Sequence, residues 1–274
     1  MNHDLGEFLR SRRARVRPAD VGLPGGGRRR VPGLRREELA LLAGVSVDYY
    51  MRLEQGRTPA VSDSVLDAVA RVLRLDETER AHLRNLVRPA LSKRPAPQRV
   101  RPGLRRLLEM ADDVPAFVMG RRSDVLAWNP LADALYGFTA MTPEERNSAR
   151  HTFLRPDART FYRDWPAVAA DMVAFLRLDA GRNPDDARLA ALVGELSVKD
   201  ETFRKLWAQH KVQEKTHGTK LINHPVVGDL DLDYETLQPT GDPDVFLGMY
   251  TAKVGSPTEE RLKLLASWAA SVDA

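Results

Sequence analysis

The chain has 274 residues, 43% of them hydrophobic and 29% charged, a composition that fits a folded protein of two domains. It has no cysteine, which excludes disulfides, thiol catalysis and zinc fingers. Residues 1–94 hold 19 Lys and Arg against 12 Asp and Glu, whereas residues 95–274 hold 23 against 26, so only the first part is expected to meet a polyanion.

No apolar stretch reaches the roughly 18 residues that a membrane helix needs. Asp4 and Glu7 precede any apolar run, unlike the start of a secretory signal. The sequence therefore predicts a cytoplasmic protein that has no membrane partner.

Residues 4–15 have the apolar spacing of a first helix. A stretch rich in glycine and arginine follows over residues 18–33 and contains Gly25-Gly26-Gly27 and Arg28-Arg29-Arg30. Neither a preceding strand nor a GxxxxGK[ST] pattern accompanies the glycines, so no nucleotide site is predicted there. A flexible basic arm that contacts DNA fits this stretch, and so does a solvated run of charge.

Two short helices are predicted within residues 34–56. In the first, Leu39, Leu42 and Ala43 share one face, and Gly44 supplies the backbone freedom that a tight turn needs. Ser46 is placed to cap the second helix by accepting a hydrogen bond from a backbone N–H. This arrangement is the helix-turn-helix unit that lays its second helix in the major groove of DNA, although an ordinary helical hairpin shares the pattern.

The second helix begins at Val47 and turns Tyr50 and Leu53 inward. Together with the ending Leu53-Glu54-Gln55-Gly56, these residues resemble the Cro/lambda-repressor-like (XRE) family. The resemblance implies an all-α DNA-binding domain of five helices. It also implies a homodimer on a palindromic operator in double-stranded DNA.

The outward face of the second helix supplies the candidate base readers. Val47 is suited to a thymine methyl, Asp48 to a cytosine amine and Arg52 to guanine O6 and N7. Tyr49 is expected to reach phosphate through its hydroxyl. Arg36 stands where the family usually has glutamine, which favours a phosphate or guanine contact over adenine. The predicted DNA-binding residues are Arg28, Arg29, Arg30, Arg36, Val47, Asp48, Tyr49, Arg52 and Arg57.

Glu54 would be repelled by phosphate, so it is interpreted as structural and paired with an arginine such as Arg57. After the hairpin, Ser62 is predicted to cap a fourth helix, and Asp76 with Glu79 to open a fifth. The sequence then predicts a helix-turn-helix domain over residues 1–88, a proline-rich linker over 89–102 and a second domain over 103–274.

The second domain mixes strands and helices. Residues 117–119 and 125–128 flank a polar turn and predict a β-hairpin, and Asn129 with Pro130 then opens a short helix that Gly137 ends. Helical sequence runs over 142–210.

Strands are predicted again within residues 211–223, 226–234 and 245–252. A closing helix begins at Ser256 and is predicted to turn Leu262, Leu265 and Trp268 inward. Strands early and late with helices between them predict an α+β domain with one antiparallel sheet.

A second resemblance rests on five segments. Val125 to Pro130, Phe161 to Trp165, Phe203 to His210, and His224 to Gly228 with Leu232 to Glu235 are similar to the MmyB-like ligand-binding domain. The resemblance implies a PAS-like fold and a ligand that is a fatty acid or a similar amphiphile. No cofactor is implied.

Large apolar residues on sheet and helix segments are available to line a ligand site, although plain core packing explains each of them singly. Arg155, Arg159 and His210 are candidates for holding an anionic head group. The predicted ligand-binding residues are Phe117, Met119, Trp128, Leu135, Tyr136, Arg155, Trp165, Phe175, Trp207, His210, Tyr234 and Tyr250.

No GxSxG or HExxH pattern occurs, and the histidines have no carboxylate at a familiar metal-binding offset. The sequence therefore predicts a transcription regulator that senses a small apolar ligand, and not an enzyme or a metalloprotein. The alternative is the same DNA-binding head on a ligand-free dimerisation or protein-interaction domain.

Overall fold

A computed structural model describes residues 3–24, 33–58, 60–88, 98–214 and 216–272. The chain forms two compact units. The first consists of Met1–Lys93 with Arg177–Asp186 and Leu206–Glu214, and the second of Arg94–Leu176, Ala187–Lys205 and Lys215–Ala274. The boundaries predicted at residues 88 and 103 remain a prediction.

The described residues form thirteen α-helices and five strands. The helices are α1 (His3–Arg15), α2 (Arg36–Ala43), α3 (Val47–Glu54), α4 (Asp63–Val72), α5 (Glu77–Val87), α6 (Pro102–Met110), α7 (Pro130–Tyr136), α8 (Ser148–Leu154), α9 (Ala158–Phe161), α10 (Trp165–Arg182), α11 (Ala187–Lys199), α12 (Glu201–Trp207) and α13 (Pro257–Val272). The strands are β1 (Ala116–Met119), β2 (Val125–Trp128), β3 (His217–His224), β4 (Gly228–Leu237) and β5 (Phe246–Thr251).

The first unit contains helices α1 to α5, and the predicted caps are present. The Ser62 hydroxyl accepts from the Val65 N–H at 3.4 Å at the start of α4. At α5, the Asp76 carboxylate accepts from the Glu79 N–H at 2.8 Å, and the Glu79 carboxylate accepts from the Asp76 N–H at 3.3 Å. These reciprocal bonds satisfy donors that a helix start leaves unpaired.

The core of the first unit is apolar and includes Phe8, Leu39, Tyr50 and Leu66, all at most 1% exposed. Two segments distant in sequence also contribute to this unit. Leu178 of Arg177–Asp186 and Val212 of Leu206–Glu214 are buried in the same core. The apolar residue Val212 therefore belongs to a loop of this unit, and the strand predicted from residue 211 begins only at His217.

The second unit is built on one antiparallel sheet with the strand order β2-β1-β5-β4-β3. The predicted hairpin is present, with Phe117 opposite Trp128 in the β1–β2 register. β1 also pairs with β5, β5 with β4, and β4 with β3. The α+β prediction is confirmed.

Three local predictions differ from the structure. Pro102, predicted to end the linker, begins helix α6, because proline is tolerated in a first helical turn. Pro18–Val21, predicted to be flexible, forms a turn of 3-10 helix. Trp268, predicted to point inward, is 43% exposed, because periodicity identifies the stripe of a helix but not how far a neighbouring element covers it.

Candidate DNA-binding and ligand-binding sites

Helices α2 and α3 form the predicted helix-turn-helix. Gly44 joins them at a φ of +69°, a conformation that favours glycine. The Ser46 hydroxyl accepts from the Tyr49 N–H at 3.1 Å and so begins α3. Tyr50 and Leu53 are fully buried, as predicted, which fixes the opposite face of α3 outward.

The outward face of α3 presents the predicted base readers. Val47 is 37% exposed, and the side chains of Asp48 and Arg52 are 70% and 57% exposed. These two charged residues lie one helical turn apart and form an ion pair with 2.9 Å between Arg52 Nη2 and Asp48 Oδ2. Tyr49 is half-buried. An exposed pair of this kind is weak, so either side chain is available to a base edge.

The Glu54 carboxylate at the end of α3 is buried and held by two arginines. Arg13 of α1 donates from Nε to Oε2 at 3.0 Å, and Arg36 of α2 donates from Nη2 to Oε1 at 2.8 Å. Burial opposes ionisation, but the hydrogen bonds from these arginines hold the pKa of Glu54 below its ordinary value. The carboxylate therefore ties three helices together.

The structural role predicted for Glu54 agrees with this geometry, but Arg57 as its partner is wrong. Its partners Arg36 and Arg13 precede Glu54 by 18 and 41 residues, and the spacing of residues within one helix cannot reveal partners so distant in sequence. Arg36, predicted to contact DNA, has its guanidinium on Glu54 and is half-exposed. Arg57 is exposed. Arg28, Arg29 and Arg30 lie outside the described residues.

The backbone of helix α1 lies directly against the backbone at the end of α3. A Cβ added at Gly6 would lie 2.4 Å from the carbonyl oxygen of Glu54, so no side chain fits between the two helices at this point. The close approach lets Arg13, two turns further along α1, reach the Glu54 carboxylate.

In the second unit, most of the predicted ligand-binding residues pack into a closed core. Exposure is at most 7% for each of the following: Phe117, Met119, Leu135, Tyr136, Trp165, Phe175 and Tyr250. Trp128 is half-buried, with the Arg146 guanidinium 5.0 Å from its ring centroid. Met119, Leu135, Trp165 and Phe175 are packed in this core.

The second unit has an open cleft of about 700 Å³ beside α7, α8 and α11. Met141, Leu154 and Pro156 give it an apolar part, and Arg150 and Glu195 lie on its wall, paired at 2.7 Å. Ligand sites of drug size occupy roughly 300–1,000 Å³. The cleft is therefore large enough for a small amphiphile.

A recess of about 20 Å³ adjoins the cleft, and the two share Tyr136, Met141, Glu145 and His151 in their walls. Its volume is close to that of one water molecule. Of the predicted ligand-binding residues, Phe117, Tyr136 and Tyr250 line the recess, and Tyr136 and Arg155 line the cleft. Tyr234 lines a separate pocket of about 200 Å³.

Buried hydrogen bonds lie along the recess. The hydroxyls of Tyr136 and Tyr250 are 3.1 Å apart. The Tyr162 hydroxyl lies 3.2 Å from Nδ1 of His151, whose Nε2 is 2.7 Å from Nη1 of Arg155. Burial raises the pKa of each of the three tyrosines.

The contact with Arg155 decides which nitrogen of His151 carries the proton. A guanidinium only donates, so Nε2 must accept and Nδ1 must be the N–H. Burial, with the nearby charge of Arg155, lowers the pKa of His151 to about 3, and the ring is neutral at physiological pH. Nδ1 of His151 therefore donates to the hydroxyl of Tyr162.

The three candidates for an anionic head group lie apart. Arg155 borders the cleft and also pairs with Asp157 at 2.5 Å. Arg159 lies 3.7 Å from the Trp165 ring centroid and bonds to Asp200. His210 belongs to the first unit, where its Nε2 is 3.1 Å from Glu7. Trp207 also lies there, under the Arg177 guanidinium.

His151, Tyr162 and Lys220 are among the residues of the recess that sequence reasoning missed. Lys220 is 6% exposed, and its ammonium group lies 5.3 Å from the Tyr162 ring centroid. The alternation of strand β3 carried a signal, since Lys220 shares the buried face with Ile222 and His224. His151 and Arg155 are four apart, the spacing at which helical neighbours meet.

Within the described residues, no group of three or more His, Asp or Glu side chains is placed to hold a metal ion. Among the helices that the structure describes, none has the length and apolarity to cross a membrane.

Comparisons with known proteins agree with this geometry. Residues 100–265 match the family described as MmyB-like transcription regulator ligand binding domain. The chain belongs to that family. Residues 4–83 match a helix-turn-helix domain. The MmyB-like chain thus joins a DNA-binding head to a ligand-binding domain, and neither description is that of an enzyme. A comparison with curated proteins found no match to this chain.

Proposed function

We propose that this MmyB-like protein regulates transcription by binding a specific operator through α3, and that an amphiphilic ligand in the cleft of the second unit controls this binding. The observation that carries the proposal is the exposed face of α3, fixed outward by Tyr50, Leu53 and the buried Glu54. A recognition helix held rigidly on its scaffold presents side chains to the major groove without further ordering.

Specific contacts are assigned to Val47, Asp48 and Arg52, and phosphate contacts to Tyr49 and Arg57. The hydrogen bonds of Arg36 to Glu54 favour a structural role over base recognition for this arginine. The basic stretch at residues 28–30 is proposed to add a contact to phosphate that does not depend on sequence.

A single head covers few base pairs, so we propose a homodimer on a palindromic operator, with one head in each half-site. Because its operator is chromosomal DNA, the protein is proposed to act in the cytoplasm. We assign it no catalytic activity and no cofactor.

For the ligand, we propose a long-chain carboxylate such as a fatty acid. Support comes from the room in the cleft, its apolar part at Met141 and Leu154, and the adjoining polar recess. Each buried methylene contributes about 0.8 kcal/mol, so affinity should increase with chain length until the cleft is filled. The cleft also favours a sensing domain over a ligand-free dimerisation domain, and the five-stranded antiparallel sheet suits the proposed PAS-like fold.

The test begins with operator selection from random DNA by the full chain. Arg52→Ala should then weaken binding to the selected site by roughly 1–3 kcal/mol and relax specificity at one position of each half-site. Arg84→Ala is the matched control, because Arg84 is also exposed and paired with an Asp but lies outside α3. Equal losses in both variants, or failure to select any sequence, would contradict the proposal.

A series of fatty acids of increasing length tests the sensing function. The affinity measured by calorimetry should increase with chain length and then level off. A bound fatty acid should also change the affinity of the protein for the selected operator. Binding with no effect on operator affinity would separate the ligand from regulation.

A further inference from the structure

Two segments from the second half of the chain complete the core of the first unit. Leu178 lies near the end of α10 and Val212 in the loop after α12, and both are at most 4% exposed in the same core as Phe8. The two segments, Arg177–Asp186 and Leu206–Glu214, are together named the clamp. The core of the DNA-binding head therefore depends on chain that lies far beyond its own five helices.

The clamp holds helix α1 through polar side chains. The Asp4 carboxylate lies 3.7 Å from Nη1 of Arg177, and the Glu7 carboxylate lies 3.1 Å from Nε2 of His210. Further along α1, Nη2 of Arg12 donates to the carbonyl oxygen of His210 at 2.5 Å. Arg12, Arg177 and His210 are each at most 6% exposed, so water screens these contacts little.

A different side of α1 faces α3. Successive residues of an α-helix are about 100° apart around its axis, which places the three clamp-bound residues of α1 on one side and Gly6 and Arg13 on the opposite side. A Cβ at Gly6 would lie 2.4 Å from the carbonyl oxygen of Glu54, and Arg13 donates to the carboxylate of Glu54. Helix α1 is therefore held between the clamp and the recognition helix, and a shift of the clamp would move both helices.

The backbone of the clamp is strained at His210. Its φ of +52° lies in the left-handed region that side chains other than glycine rarely adopt. Such a residue persists only where surrounding contacts hold it, and strained residues are frequent in switch segments. The holding contacts here are those to Glu7 and Arg12 of α1. The turn at His210 can therefore relax when α1 moves, which gives the clamp a second arrangement.

The chain between the two clamp segments forms a wall of the cleft. Ala187–Lys205 joins one segment to the other, and its helix α11 contributes Glu195 and Lys199 to the lining of the cleft. Glu195 also pairs with Arg150 of the same lining at 2.7 Å. A ligand that separates this pair or displaces α11 therefore pulls on the clamp at both of its attachments.

On this basis we infer that the clamp is the regulatory connection of this protein. Occupancy of the cleft moves α11, the clamp then shifts α1, and α1 changes how α3 meets DNA. The inference rests on the ligand-controlled DNA binding proposed above and adds the residues that transmit the control. Coupling between two binding sites is reciprocal, so operator DNA must change the affinity for the ligand by the same factor.

The experiment measures this coupling on the full chain with decanoate as the ligand. Fluorescence anisotropy gives the dissociation constant of the selected operator without decanoate and at saturating decanoate, and the ratio of the two is the coupling factor. The unmodified chain should give a coupling factor of about five or more, in either direction. Calorimetry of decanoate with and without the operator should give the same factor.

The double variant Asp4→Ala, Glu7→Ala removes two clamp contacts from α1 and should bring the coupling factor close to one, because the clamp then moves without α1. The double variant Asp63→Ala, Asp67→Ala is the matched control, since it removes two ion pairs from α4 of the same unit. The control should leave the coupling factor unchanged, because any change in operator affinity is then present with and without decanoate. Thermal unfolding curves check that both variants are folded.

Hydrogen exchange on the unmodified chain gives a second measurement that depends on no variant. Saturating decanoate should change the exchange rates of backbone amides in α1 and in Leu206–Glu214 by at least about threefold. Helix α4, which packs against α2 and α5, is the internal reference and should change much less. A clamp with only a structural role would not respond to the ligand.

The outcomes separate the inference from the function on which it rests. If decanoate changes operator affinity equally in the unmodified chain and in the Asp4→Ala, Glu7→Ala variant, the clamp is not the connection while ligand control stands. If that variant does not fold, unchanged exchange in α1 and in Leu206–Glu214 overturns the inference by itself. If decanoate does not bind, or binds without changing operator affinity, the proposed control and the inference both fail.

Discussion

The two units bury polar groups of different kinds. In the first, the Glu54 carboxylate meets the guanidinium groups of Arg13 and Arg36, so the buried charge is paired. In the second, three tyrosine hydroxyls and the neutral imidazole of His151 share hydrogen bonds beside a recess. We name these the charged cluster and the neutral cluster.

The difference shows how each cluster can be used. Burying a charge is costly unless its partners are close, so the charged cluster is stable only when complete and suits a fixed scaffold. Hydroxyls and a neutral ring cost less to bury and can change hydrogen-bond partners, so the neutral cluster can border a recess.

The largest expected effect is in the charged cluster. Glu54→Ala leaves Arg13 and Arg36 without their counter-charge, and the free energy of unfolding should fall by roughly 3–5 kcal/mol. Urea denaturation of the full chain measures this. Glu54→Gln keeps the shape and should lose less. A loss below about 1 kcal/mol for the alanine variant would show that the cluster is not structural.

The two clusters should lose their contributions to the free energy of unfolding at different pH values as the solution is made more acidic. The pKa of His151 is lowered from 6.5 to about 3, so the unfolded chain binds a proton that the folded chain does not. Stability from the neutral ring is therefore complete above pH 6.5 and falls as the pH drops towards 3. The loss between pH 6.5 and 5 should be about 2 kcal/mol.

The pKa of Glu54 lies below its ordinary 4.5, so the contribution of the charged cluster is present above pH 4.5 and lost only in stronger acid. Thermal unfolding between pH 7 and 4 tests both windows. His151→Gln should reduce the loss of stability in the upper window, between pH 6.5 and 5, and Glu54→Gln should not. His82, whose pKa burial also lowers to about 3, adds a loss of the same sign in the first unit. An upper window unchanged in His151→Gln would contradict the assignment.

The smallest expected effect is at Asp48, which lies on the same helix as Glu54 and also pairs with an arginine. Asp48→Ala removes an exposed pair and should change the free energy of unfolding by only about 0.2–0.5 kcal/mol. The two α3 carboxylates thus form an internal comparison, because Glu54 is buried with two arginine partners whereas Asp48 is exposed with one. A loss at Asp48 as large as at Glu54 would remove burial as the explanation.

Sequence patterns predicted what depends on near neighbours. The turn at Gly44, the cap at Ser46 and the β1–β2 hairpin each follow from residues a few positions apart, and each is present. Their interactions are local, so the spacing of residue types contains most of the information.

Partners distant in sequence were not predicted. Glu54 pairs with Arg13 across 41 residues, and Tyr136 meets Tyr250 across 114. The apolar residues predicted for the ligand site show a related difficulty. Periodicity shows that Leu135 and Trp165 are buried, but it does not show whether a buried side chain borders a cavity or another side chain.

The contact of Gly6 with the Glu54 carbonyl has a consequence for how this head tolerates change. At 2.4 Å, even the methyl group of alanine would force α1 away from α3, although alanine is the better helix former. Shifting α1 would also carry Arg13 away from the carboxylate that orients the recognition helix. Glycine at position 6, far in sequence from the proposed base readers, thus sets how closely α1 packs against α3.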